Sequence, residues 1–330
     1  MPVHHLEHHL CSMNRDLSLP GPTVATMTEP AAPSEPSAQR QVVPSLSPSR
    51  TNDFLQCPLL FRFRVIDRLP EPPSSAAKRG TLVHAVIEKL YDAPLGSRSR
   101  QLALDLLPGQ WEKMLQADPG LLALFEAGGD AQGMSVQAWL DTAASLIGTY
   151  FTLEDPNRLQ PAGRELWISQ QLDKGGPLLR GIIDRLDVNP DGLTRVVDYK
   201  TGKSPRPGYD GSVLFQMRFY ALMLWKQRGV VPAMLQLIYL GDGQILRAQP
   251  RVEDLEHTEM KIRNIWDAIT DAAQRSSFAP QQSKLCGWCS FQALCPAFGG
   301  QAPALEPEVA AHRLGLSPAG EQATPMSPSQ

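Results

Sequence analysis

Two β-rich runs, Gly181 to Val188 and Leu193 to Lys200, mix apolar with polar positions on either side of the turn Asn189-Pro190-Asp191-Gly192. Such runs around a Pro, Asp and Gly turn predict a β-hairpin. With the turn centred near residue 191, antiparallel partners sum to about 382, so Asp184 falls opposite Asp198 with Cβ atoms about 5 Å apart. Elsewhere the period is helical. Leu82, Val86, Ile87 and Leu90 mark a helix over Thr81 to Tyr91, and a second covers Val213 to Trp225. Between residues 93 and 160 the spacing of Leu102, Leu106, Leu107, Trp111 and Leu115, then Val136, Trp139, Leu140, Ala143, Leu146 and Ile147, predicts a helical insertion. Glu165 opens a β-like run to Ser169, with a carboxylate suited either to supporting a metal ligand or to a solvated strand end. Met234 to Leu240 is an apolar strand, followed by the turn Gly241-Asp242-Gly243, another strand and a helix near 252–274. Strands and helices mixed in this order predict an α/β fold with a central mixed sheet flanked by helices.

The flanks differ in composition. Residues 1–44 hold Pro20, Pro22, Pro30, Pro33, Pro36 and Pro44 among Ser, Ala, Thr and Gln, and residues 301–330 are similar, so both are expected to be disordered tails. That leaves 45–300 as one domain, within the size that a single core supports. It carries 28 Lys+Arg against 27 Asp+Glu, a balance that argues against strong nonspecific DNA affinity. Basic residues cluster locally, however, at Arg62, Arg64, Arg68, Lys78 and Arg79, and at Lys200, Lys203 and Arg206. Without an 18-residue apolar stretch or a charged leader before an apolar run, the expectation is a soluble cytoplasmic protein with no membrane partner.

The hairpin holds the chemistry. Two opposed carboxylates repel unless a cation lies between them, and oxygen ligands suit Mg²⁺ or Mn²⁺. Lys200, two residues beyond Asp198, projects from the same strand face and reaches the same centre. His84 lies in the first turns of its helix, where a neutral imidazole can ligate a divalent metal. Gln216 and Tyr220 are four apart on one helix face. Cys286, Cys289 and Cys295 form C-x₂-C-x₅-C, and Cys57 stands 229 residues before Cys286. Sparse cysteines without a secretory leader suggest thiolate ligands, and four of them suit an iron–sulfur cluster or tetrahedral zinc. Cys11, in a tail, is left free.

These segments in order resemble the PD-(D/E)XK nuclease superfamily, and within it the RecB-like branch that includes the RecB and AddB nuclease domains. The resembling stretches are Ser49 to Pro58, Gly80 to His84, Gly181 to Asp184, Asp198 to Gly202 and Gln216 to Tyr220. The resemblance implies a DNA exonuclease in which His84, Asp184, Asp198 and the Tyr199 carbonyl hold the metal and Lys200 is the catalytic lysine. Gln216 and Tyr220 would support the site and contact nucleic acid. It also implies that Cys57, Cys286, Cys289 and Cys295 clamp a [4Fe–4S] cluster, with zinc the alternative, and it leaves open a helicase partner. The competing class is a noncatalytic nucleic-acid-binding module that keeps the clamp. ATP binding is not expected: Gly202-Lys203-Ser204 imitates the end of a phosphate-binding loop, but Val197 occupies the required first glycine and Pro205 follows. Ser75-Ala76-Ala77-Lys78 with Lys200-Thr201-Gly202 imitates penicilloyl-serine enzymes, yet no Ser-Asp-Asn lies between them.

Overall fold

The structure is a computed structural model that describes residues 44–316, apart from 174, 207 and 209. The remaining residues, which include Cys11 and nearly all of the expected N-terminal tail, lie outside the described part. Chain order is β1 (Ser45–Leu46), α1 (Pro48–Gln56), α2 (Pro58–Phe61), a π-helical turn Arg62–Ile66, α3 (Ser75–Leu90), α4 (Arg100–Ala117), α5 (Val136–Leu153), β2 (Gly163–Gln171), β3 (Leu178–Val188), β4 (Thr194–Lys200), α6 (Gly211–Arg228), β5 (Met234–Tyr239), β6 (Gln244–Ala248), α7 (Val252–Gln274) and α8 (Pro307–Leu314). The fold is α/β, with a mixed six-stranded sheet flanked by helices.

The sheet order is β1-β3-β4-β5-β6, with β2 also paired to β3. Residues 178 and 179 of β3 pair with β1 and β2 at once, while 185 and 186 pair with β2 and β4 at once. So β2 runs along one edge of β3, and β1 and β4 divide the other. Between them residues 180–184 of β3 have no strand partner on that edge, and the sheet forks there.

Each face is covered by its own core. On one side α6 and α7 bury Ile168, Ile183, Leu186, Val196 and Leu237; on the other α3, α4 and α5 bury Val197, Tyr199, Ile238 and Leu240. β4 is apolar on both faces because both are covered, which its near-continuous burial reflects. Beneath it the fully buried Arg185 pairs with Glu154 (2.8 Å), which caps the C-terminus of α5, and with Asp187 (3.1 Å), and donates to the Tyr199 hydroxyl.

The hairpin register follows the sum of 382 from Val188↔Thr194 to Arg185↔Val197. Asp184 and Asp198 stand one step beyond that last pair. One departure concerns the C-terminal flank. Residues 301–316, expected as tail, carry α8, whose Ala310 and Leu314 form a buried i, i+4 pair in the α6–α7 core. The Pro-rich composition masked a short amphipathic stripe.

Candidate active site

Alternation along β3 fails at one point. Ile183 and Leu186 are three apart, yet both enter the α6-side core, so the strand slips by one residue at Asp184-Arg185. The β2 residue that would face Asp184 is Glu165, and it has φ +41°, the left-handed region that non-glycine residues rarely occupy. Such strain persists where surrounding structure imposes it, and it clusters at functional sites. Here it accompanies a Glu165 carboxylate brought beside Asp184 and His84.

The three side chains His84, Glu165 and Asp184 each present a ligand atom, and these atoms lie within 4.8 Å of one another. His84, on α3, places Nε2 2.9 Å from the Tyr199 carbonyl oxygen. A carbonyl only accepts, so Nε2 carries the proton and a neutral ring leaves Nδ1 as the ligating nitrogen. Nδ1 is 3.6 Å from Asp184 Oδ2 and 3.8 Å from Glu165 Oε1, ion-pair distances beyond a hydrogen bond. Asp184 Oδ2 in turn accepts from the Tyr199 N–H at 2.7 Å, taking the place of the next ladder bond.

Asp198 belongs to a second, adjoining network. Its Oδ1 accepts from Gln216 Nε2 (2.9 Å), and its Oδ2 lies 2.8 Å from Lys200 Nζ, close enough for an ion pair but outside hydrogen-bond alignment. Lys200 Nζ also donates to Gln216 Oε1 (3.0 Å), and Gln216 Nε2 reaches the Tyr220 hydroxyl at 3.2 Å. Gln216 therefore orients the acid and the lysine together. Tyr220 can sit so close because of Gly181: a Cβ there would stand 2.5 Å from its ring.

Burial and like charge dominate the electrostatics. Burial, and then the neighbouring Asp198 carboxylate, push Asp184 up to about 7, against the opposing pull of His84. Burial works against a charged His84, but the attraction of Glu165, Asp184 and Asp198 outweighs it and raises the imidazole to about 9. A carboxyl raised in this way by burial and a second carboxylate is poised to accept a cation.

Thus the structure gathers His84, Asp184, Asp198, Tyr199, Lys200, Gln216 and Tyr220 around one centre. The expected ligand set is divided within it. His84 and Asp184 stand with Glu165, whereas Asp198 is held by Lys200 and Gln216, and the Tyr199 carbonyl is taken by His84. Glu165 was legible only as a carboxylate at a strand start; its positive φ had no signal in the sequence. A cleft of about 710 Å³ opens over His84, Glu165, Tyr199 and Lys200. The four cysteines Cys57, Cys286, Cys289 and Cys295, all half-buried, line a separate small apolar cavity.

The chain belongs to the PD-(D/E)XK nuclease superfamily, whose sequence profile matches residues 45–296. Members of this superfamily are nucleases that use divalent metals such as Mg²⁺ or Mn²⁺. The chain is similar to the Gene 69 protein of Mycobacterium phage D29, 24% identical over 278 residues that cover 78% of this chain and 98% of the phage protein. The Gene 69 protein of Mycobacterium phage L5 is 25% identical over 306 residues, with the same shares covered. Among solved structures, a candidate exonuclease from Eubacterium rectale aligns with a TM-score of 0.46 at 14% identity, over 74% of this chain and 87% of that one. No helix among the described residues is long and apolar enough to cross a membrane.

Proposed function

We propose that this nuclease is a divalent-metal-dependent DNA exonuclease of the RecB-like branch, acting in repair, recombination or processing of DNA ends in the cytoplasm. The reading is carried by the coupled arrangement of Lys200, Asp198 and Gln216 beside the His84–Asp184 pair.

The donors fit a hard divalent cation. They are carboxylate oxygens with one imidazole, and Asp198 Oδ2 is a buried atom without a hydrogen-bond partner. His84, Asp184 and Asp198 would hold the ion, with Glu165 within reach of it and the Tyr199 carbonyl released from His84. Bound there, a divalent ion supplies charge neutralisation at the phosphate and acidifies a coordinated water. The chain's own contribution is orientation. Lys200 Nζ, fixed between Asp198 and Gln216, presents a cation to the nonbridging phosphate oxygen where charge develops. The Tyr220 hydroxyl, held by Gln216, stays protonated because burial raises its pKa, and it serves as a donor to the backbone.

The shared cavity of the four cysteines supports the [4Fe–4S] clamp as part of this reading. Four thiolates suit either this cluster or tetrahedral zinc, and the cluster is the reading that the resemblance implies.

Digestion of end-labelled single- and double-stranded DNA with Mg²⁺ or Mn²⁺ tests the activity. Wild type should release mononucleotides or short products from ends, Asp198→Ala should not cleave, and Lys200→Ala should lose hydrolysis while still binding Mn²⁺ by titration calorimetry, since an ammonium is no metal ligand. Near wild-type cleavage by Asp198→Ala would overturn the assignment.

A further inference from the structure

The fork in the sheet opens a second groove, of about 500 Å³, that shares Gln216 and Tyr220 with the catalytic network. We infer that this groove is a single-stranded DNA subsite, in which Arg50 and Arg180 take a backbone phosphate and Trp167 stacks on an unpaired base. The inference rests on the nuclease reading and names the form of its substrate.

The groove walls supply the reasons. The guanidinium of Arg50, on α1, hydrogen-bonds among the described residues only to the backbone and hydroxyl oxygens of Ser45 (3.4 and 3.3 Å), and Arg180 lines the same groove from the unpaired edge of β3. Neither makes an ion pair with a carboxylate among the described residues. Burial, together with the charges of Arg180 and Arg68, holds Arg50 below the usual guanidinium value. Cations crowded in this way lack an anion, and a phosphate is the anion that a nuclease brings. Beside them Trp167 of β2 and Ile182 of β3 are directly opposite in the ladder and stand 60% and 42% exposed. Their neighbours Ile168 and Ile183 fill the α6-side core, so Trp167 and Ile182 point to the other face, which leaves an indole and an aliphatic side chain on the groove wall.

That combination selects an unpaired strand. A duplex keeps its bases stacked inside and offers the indole no ring face, whereas every base of a single strand has one. A strand bound there also lies against Gln216 and Tyr220, so its next linkage reaches the network that holds Asp198 and Lys200.

The test is binding to full-length protein carrying Lys200→Ala, which blocks turnover, with a fluorescein-labelled oligothymidylate and a hairpin duplex of equal phosphate count, read by anisotropy. The single strand is expected to bind more tightly. Adding Trp167→Ala should weaken it roughly five- to hundred-fold, with Trp167→Phe restoring most of the loss and the duplex little affected. Arg180→Ala should lower the slope of log affinity against log salt by about 0.7, one phosphate contact on single strands. Unaltered melting temperatures confirm that these substitutions leave the fold intact. Tighter duplex binding, equal losses on both ligands, or single-strand affinity indifferent to Trp167→Ala would each overturn the subsite. If wild type cleaves no DNA while these binding differences hold, it is the nuclease reading that fails.

Discussion

Replacing Asp184 by Asn separates charge from shape at the metal centre. Asn keeps the acceptor that receives the Tyr199 N–H but removes the negative charge facing Asp198. In the wild type the folded pKa, about 7, lies above the unfolded value of 3.8. Between those values the folded state holds a proton that the unfolded chain has released, so the metal-free protein loses stability as pH rises through this window. At about 1.4 kcal/mol per tenfold change, the ionised group destabilises the metal-free fold by a ceiling on the order of 4 kcal/mol. That ceiling already contains the opposing pull of His84; relaxation and water entry at the buried site reduce it further, so an observed effect of about 1–3 kcal/mol is expected. Urea denaturation in magnesium-free buffer, followed by tryptophan fluorescence, should show wild type and Asp184→Asn equally stable near pH 4. The variant should pull ahead as pH rises to 8. Adding Mn²⁺ should reverse the order, because only the wild type gains binding energy from the ion. A gap that does not change with pH, or equal stabilisation of both proteins by Mn²⁺, would refute the reasoning.

Three further outcomes follow from packing. Gly181→Ala should displace the Tyr220 ring, lower stability by about 1–3 kcal/mol and reduce cleavage; denaturation midpoints and product release unchanged from wild type would show that the ring has room to move. Arg185→Ala takes the main cationic partner from the buried Glu154, while Asp187 keeps Arg195, and should cost about 3–5 kcal/mol, whereas Arg185→Leu with Glu154→Leu should recover much of it; an Arg185→Ala protein with an unaltered urea midpoint contradicts this. Cys57→Ser should lower the melting temperature by removing a link that closes 229 residues of chain. Anaerobic wild type should be brown with about four irons per chain; stoichiometric zinc would replace the cluster but keep the link.

Local periodicity carried much of this structure. The hairpin register was readable because two β-rich runs about a Pro-Asp-Gly turn fix partners within a few residues of one another. Helical spacing put Gln216 and Tyr220 on one face, whereas His84 was singled out by the resemblance. What failed to show lies in the breaks from periodicity. The slip at Asp184-Arg185 and the positive φ of Glu165 are imposed by packing on two sides, and no local pattern encodes them. The fork that exposes Arg180 and Trp167 depends on β1 joining β3 across more than a hundred residues. Approach of Cys57 to the later cysteines is equally nonlocal, and only the count of thiolates and the resemblance pointed to it. In α8 composition misled, since two buried residues suffice to dock a short helix.

Burial of β4 on both faces also limits how far this enzyme can be trimmed. The helices between β1 and β2 resemble an ornament that protein engineers might delete to obtain a minimal nuclease. Yet Tyr199, the residue between Asp198 and Lys200 on β4, is packed against α3, α4 and α5, and its carbonyl is tied to His84 of α3. Excision would leave Val197, Tyr199, Ile238 and Leu240 bare to water and remove His84 in the same cut.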